Sequence, residues 1–129
     1  MKILVCYSEG SSEAIMEKAK ERARQTDASI HLISVIVGGD VDQLKYVDET
    51  KKNLETAQAA IQAEGFVCKT KLMFGGTSAG ENIVQYAKEE KVDEIIIGVR
   101  KRSKVGKLIF GSAAQHVILE APCPVLTVK

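Results

Sequence analysis

The sequence predicts an α/β fold, a parallel sheet with helices on both faces. Three observations carry that prediction. Apolar runs of strand length alternate with helix-patterned stretches from one end of the chain to the other. Most of the apolar runs are continuous, as expected of strands covered on both faces. No linker, repeat or low-complexity stretch interrupts the alternation, so the 129 residues read as one domain, 1–129. A chain of that length buries a core without metal or disulfide staples.

The elements follow in order. Lys2 to Tyr7 is the first strand, broken by Glu9-Gly10-Ser11-Ser12. A helix then runs to about Thr26, with Ile15, Ala19 and Ala23 four apart on one face. Ser29 to Val37, rich in β-branched residues, is the second strand, and Gly38-Gly39-Asp40 ends it. From about Val41 to Glu64 the pattern is helical, with Leu44, Val47, Leu54, Ala57 and Ile61 near one stripe, until Gly65 stops it. Phe66 to Phe74 is a third strand. Its Lys69 and Lys71 alternate with apolar neighbours, which places it at a sheet edge. After Gly75-Gly76-Thr77, Ser78 and Glu81 form a capping box for a helix to about Lys91. Glu94 to Ile97 is the fourth strand and Ser112 to Glu120 a short helix. Pro122-Cys123-Pro124 blocks its continuation, and Val125 to Val128 is the last strand. Right-handed crossovers connect such strands, and ligands bind at their carboxyl ends where the strand order reverses. Ser8 to Ser12, Val35 to Gly39 and the loop after strand four lie there.

Bulk composition narrows the function. The chain is 45% hydrophobic and 27% charged, with a formal net charge of +1, so electrostatic recognition must be local. Trp is absent and aromatics are scarce, which argues against base-stacking platforms for single strands. Cys6, Cys68 and Cys123 are widely spaced, without CxxC or a Cys/His cluster, and read as small buried hydrophobes. The start, MKILVCYSEG, is too short an apolar run for a signal peptide, and no segment approaches the ~20 apolar residues of a membrane span. A cytoplasmic location with reduced thiols is expected.

The common nucleotide signatures fail one by one. Gly106-Lys107 is followed by Leu108 where a phosphate-binding loop needs Ser or Thr, and Lys101 sits where its first glycine should be. There is no GxGxxG. Gly75-Gly76-Thr77-Ser78-Ala79-Gly80 reads as a turn and a helix cap. A phosphoryl-accepting receiver would need clustered carboxylates at the ends of strands one and three, which carry Ser8-Glu9 and Gly75-Gly76-Thr77. His31 is expected in the core or on a sheet face and His116 on a helix surface, neither catalytic.

GVRKRSKVGKLIFGS, Gly98 to Ser112, is different. It carries Arg100, Lys101, Arg102, Lys104 and Lys107 with no acid among them. Its end, Gly111-Ser112, opens a helix. Ser112 is expected as the N-cap, and the free N–H groups of the first turn make an anion site. Gly98 and Gly111 would let backbone approach a phosphate, with the basic side chains as countercharge. A merely solvated loop is the other reading.

Over its full length the chain resembles the universal stress proteins. The resemblance rests on KILVCYSEGSSEA, SIHLISV and VDEIIIGVRKRSKVGKLIFGSAAQHVILEAPCPVLTVK. The family hallmark is a glycine, two residues, a second glycine, nine residues, then Gly-Ser or Gly-Thr. Gly98 and Gly111-Ser112 fit its ends with the spacing intact. The resemblance implies a flavodoxin-like, adenine nucleotide α-hydrolase-like fold, a five-stranded parallel sheet in the order 3-2-1-4-5, usually dimeric. In its nucleotide-binding branch the Gly-rich loop wraps the phosphates, an Asp after strand one contacts the nucleotide, and a Val ending strand two touches adenine. Val35 matches that Val. Two positions depart: Lys101 replaces the middle glycine and Ser8 stands in place of the Asp.

The expectation is therefore a regulatory stress-response protein binding ATP or AMP, with Mg accompanying ATP. Its phosphates lie on the Gly111, Ser112 and Ala113 N–H groups, aided by Arg102 and Lys101, and its adenine lies near Val35 and Tyr7. Gly98, Arg100 and Ser8 complete the site. No general base is placed for fast turnover, so a binding role is expected, with at most slow ATP hydrolysis. The alternative is an interaction module of the same family without nucleotide, homodimeric through Val125 to Val128. Nucleic-acid binding is not expected from the balanced charge and few aromatics.

Overall fold

The computed structural model describes residues 1–7, 13–37, 43–75, 78–99 and 111–129. Its elements are β1 (Lys2–Cys6), α1 (Glu13–Thr26), β2 (Ser29–Val37), α2 (Gln43–Ala63), β3 (Cys68–Gly75), α3 (Ala79–Glu89), β4 (Glu94–Gly98), α4 (Ser112–Glu120) and β5 (Val125–Val128). The strands form one parallel sheet in the order β3-β2-β1-β4-β5. Fold class and strand order are those the sequence and the resemblance imply. Lys69 and Lys71 are exposed on the edge strand β3, as expected.

The two faces of the sheet hold separate cores, because successive strand residues point to opposite sides. On one face Ile3, Val5, Ile30, Leu32 and Ile96 pack with Ile15, Ala19 and Ala23 of α1 and Leu54 and Ile61 of α2. On the other, Leu4, Ile33, Ile95 and Ile97 pack with Ile83, Val84 and Ala87 of α3 and Ala114 and Val117 of α4. Each fully buried Ile or Leu contributes roughly 1.5–3 kcal/mol. The central strands β1 and β4 are inaccessible at their middle residues, which is why they read as unbroken apolar runs. Gly65 ends α2 with φ +94°, a conformation that favours glycine.

The amino edge of the sheet is tied by polar contacts. The Lys2 N–H donates to Asp93 Oδ2 at 2.7 Å and Lys2 Nζ to the Glu90 carbonyl at 2.9 Å. Arg22 of α1 grips Glu94 of β4 with two bonds, Nε to Oε1 at 3.0 Å and Nη2 to Oε2 at 2.8 Å. Lys20 bridges to Glu64 beyond α2 at 2.7 Å.

Three sequence expectations are corrected. Ser112 is the first helical residue of α4, and Gly111 is its N-cap, whose C=O accepts the Gln115 N–H at 3.0 Å and which has no side chain to make a capping bond. His116 is half-buried rather than on the surface. Helices α3 and α4 share one face of the sheet, and a Cβ on Gly80 would stand 2.7 Å from His116 Cβ. Of the cysteines only Cys68 is buried, while Cys6 and Cys123 are half-buried. Among the described residues no helix is long and apolar enough to cross a membrane.

Candidate functional site

The carboxyl edge of the sheet is where β1 has neighbours running to either side, β2 one way and β4 the other. In open α/β sheets this switch point opens a crevice. Beyond β1 the chain stays against β2 for one more residue. Tyr7 N–H donates to the Ile33 carbonyl at 2.8 Å, and the Ser34 hydroxyl donates to the Tyr7 carbonyl at 2.7 Å.

A cleft opens at this point, lined by Tyr7, Ser34, Val35, Ile36, Tyr46, Thr50 and Asn53. The space among them, partly open to solvent, is about 320 Å³. The cleft thus brings together Tyr7 and Val35, the two residues expected beside a base. Their side chains lean opposite ways: Tyr7 packs on the α1/α2 core and Val35 on the α3/α4 core. Since α2 covers the first of these faces, strand alternation leaves Val35 to line the cleft chiefly with its main chain.

Tyr46, Thr50 and Asn53 escaped sequence reasoning. They stand at i, i+4 and i+7 on α2, so they share one stripe of the helix. Helix α2 runs antiparallel to the strands, with its amino-terminal half over the carboxyl edge. Deeper along the same helix the inward residues are Leu54 and Ile61, both buried. A signal was present. The apolar stripe lapses between Val47 and Leu54, where the next inward turn offers Thr50 and Lys51. An amphipathic helix whose inward stripe turns polar at one end is facing something other than core.

Gly98 ends β4. A Cβ here would stand 2.6 Å from Ile15 Cδ1 of α1, the tip of a side chain that would have to shift to admit it. The next residue continues the edge, with Val99 N–H donating to the Val128 carbonyl at 2.9 Å. Gly111, half-buried, starts α4. The N–H groups of Ser112, Ala113 and Ala114 precede the first intrahelical donor, the Gln115 N–H, and so have no partner within the helix. With the helix dipole they form an electropositive end, and α4 has no acidic residue in its first turn. Ser8, Arg100, Lys101 and Arg102 lie outside the described residues.

Titratable groups elsewhere serve the frame. His31 is buried on β2, with Nδ1 3.0 Å from the Tyr86 hydroxyl and Nε2 3.4 Å from Ser29 Oγ. Ser29 in turn donates to the Met1 carbonyl at 3.4 Å. The tautomer that satisfies every partner carries its proton on Nε2, with Tyr86 donating to Nδ1. Burial, and then the charges of Lys2 and Lys69, hold His31 below its ordinary value of 6.5. Desolvation pushes the Cys6 thiol up to about 12 and Cys68 to about 11, so neither is a ready nucleophile. Among the described residues no group of His, Cys, Asp and Glu is arranged to hold a metal ion.

Comparison with known proteins agrees with the fold. The model of the universal stress protein family matches residues 1–129. A universal stress protein of Mycolicibacterium smegmatis is 29% identical over 128 residues, covering 98% of this chain and 96% of its own. The structure of a universal stress protein from Archaeoglobus fulgidus is 35% identical with a TM-score of 0.89, covering 100% of this chain and 98% of its own. A second A. fulgidus structure, in complex with dAMP, is 29% identical with a TM-score of 0.78 and the same coverage. On the match across its whole length, this chain belongs to the universal stress protein family.

Proposed function

We propose that the protein binds an adenine nucleotide, ATP or AMP, across the carboxyl edge of its sheet and acts as a regulatory binding protein. The observation that carries this reading is the cleft that joins Tyr7 and Val35 at the ends of β1 and β2. The A. fulgidus relative seen in complex with dAMP supports it. The base occupies the cleft. The phosphates take the uncapped N–H groups of Ser112 and Ala113 beyond Gly111, with Ser8, Arg100, Lys101 and Arg102 contributing around them. Mg accompanies the nucleotide when it is ATP. Among the described residues, those lining the cleft include no carboxylate, histidine or lysine, which favours binding over turnover.

Calorimetric titration with ATP, AMP and cyclic AMP tests the reading, run beside Gly111→Val. Heat with ATP or AMP that weakens in the variant is expected. No heat with any nucleotide sinks the reading, and binding indifferent to Gly111→Val moves the phosphates elsewhere.

The position of β5 favours a second activity, homodimer formation. It is the last strand of the order β3-β2-β1-β4-β5, and its outer side pairs with no strand of this chain among the described residues. Strand pairing between two copies through Val125 to Val128 would close both edges. Val125→Lys should then shift the mass by light scattering from dimer to monomer, and an unchanged mass counts against it. If nucleotide is absent and the dimer present, the protein is an interaction module of the same family.

A further inference from the structure

The cleft's own hydrogen-bond accounts point to one residue on α2. The Ser34 hydroxyl proton is committed to the Tyr7 carbonyl, 2.7 Å away. The Thr50 hydroxyl proton is committed to the Tyr46 carbonyl, 2.8 Å away. Of the polar side chains lining the cleft, that leaves Asn53 and the phenols of Tyr7 and Tyr46 without a partner among the described residues. A phenol offers one donor at one atom. A carboxamide offers a donor and an acceptor side by side in one plane. Asn53 is half-buried in the cleft wall, and its carboxamide has no partner among the described residues, so both its donor and its acceptor are open to a ligand.

We propose that Asn53 is the specificity-determining residue of the cleft and pairs with the N6/N7 edge of an adenine base. The inference rests on the nucleotide reading above and adds to it the residue that selects the base. Adenine presents an amino donor at N6 beside an acceptor at N7, which one carboxamide meets with two bonds. Guanine and hypoxanthine present O6 beside N7, two acceptors, and a carboxamide meets only one of them whichever way it is turned. Tyr46, two turns before Asn53 on the same stripe and itself partly exposed, is placed to cover the base from the solvent side. A position on a helix suits this task, since the backbone of α2 is held by Leu54 and Ile61 in the core beneath.

The test titrates AMP and inosine monophosphate, which differ at the 6-position, into the wild type, Asn53→Ala and Asn53→Asp. Thermal melting of all three runs alongside. The wild type should prefer AMP. Asn53→Ala should lose about tenfold or more in AMP affinity and less in inosine monophosphate affinity, which forfeits one bond and not two, so that the preference collapses. Asn53→Asp loses the donor to N7 and should weaken AMP binding yet keep AMP ahead of inosine monophosphate, because its carboxylate still accepts from N6 and meets only acceptors on hypoxanthine. Melting temperatures should stay close, separating lost recognition from lost folding. A wild type that binds AMP with Asn53→Ala unchanged, or that binds both nucleotides equally, overturns the role of Asn53 alone. A wild type that binds neither overturns the nucleotide reading and this inference together.

Discussion

Gly80→Ala is the substitution whose sign separates packing from propensity. Gly80 lies in α3, in the first turn after the Ser78 cap, and it is buried against α4. By helix propensity alone, alanine should stabilise this position by about 1 kcal/mol. The structure argues the reverse. A Cβ there would stand 2.7 Å from His116 Cβ, 3.1 Å from His116 Cγ and 3.2 Å from the Ala113 carbonyl oxygen. The first of these is about 0.7 Å short of an ordinary contact of ~3.4 Å between carbons. Because the obstructing atoms are a Cβ and a backbone oxygen, no rotamer change clears them, and the two helices must part. Overpacking of this kind costs about 1–3 kcal/mol. Subtracting the propensity gain leaves a net loss near 1 kcal/mol, or about 4 °C in Tm for a chain of this size. Urea denaturation measures it. His116→Ala keeps the offending Cβ and should not rescue Gly80→Ala, whereas His116→Gly should, as positive coupling in a double-mutant cycle. A Gly80→Ala protein at least as stable as wild type would refute the reasoning. Ala113 sits in the first turn of α4, so the same substitution should also weaken any anion held at that helix end.

Other consequences follow from groups already described. The lowered His31 value means that the unfolded chain takes up a proton before the folded one does. Stability should therefore be intact above pH 6.5 and fall as the pH drops below it, by no more than about 1.4 kcal/mol per pH unit. Urea titrations at several pH values should show this slope, and His31→Gln should flatten it. A slope of opposite sign would mean that His31 is charged in the native state. Tyr86→Phe removes the donor to His31 Nδ1 and should cost about 1 kcal/mol by the same denaturation assay. The raised Cys6 and Cys68 thiols should react slowly with Ellman's reagent at pH 8 in the native protein, with the full count of three appearing only in denaturant.

Much of the frame was legible because strands buried on both faces leave an unmistakable trace. Ser29–Val37, Val125–Val128 and Ser112–Glu120 have the same bounds in sequence and structure. Ends that shifted, such as Phe66 to Cys68 and Lys91 to Glu89, are element termini, where pairing and not composition decides. What stayed hidden depended on which elements share a face. His116 and Gly80 meet because α3 and α4 lie on one side of the sheet, and alternation of elements alone does not contain that fact. The neighbour of Gly98 was not legible, since Ile15 is 83 positions away in the chain. The polar stripe of Tyr46, Thr50 and Asn53 was passed over because a search for apolar periodicity discards the turn in which the apolar residues stop.

The ion pairs at the amino edge have a consequence for how such a molecule can change over time. Lys2, Arg22 and Lys20 reach across from β1 and α1 to Glu90, Glu94 and Glu64, tying strand starts to helix ends on the side away from the cleft. The described residues of the cleft lie on the opposite rim. Substitutions there leave those ties in place, so a lineage can vary what the rim meets while the far edge goes on assembling as before.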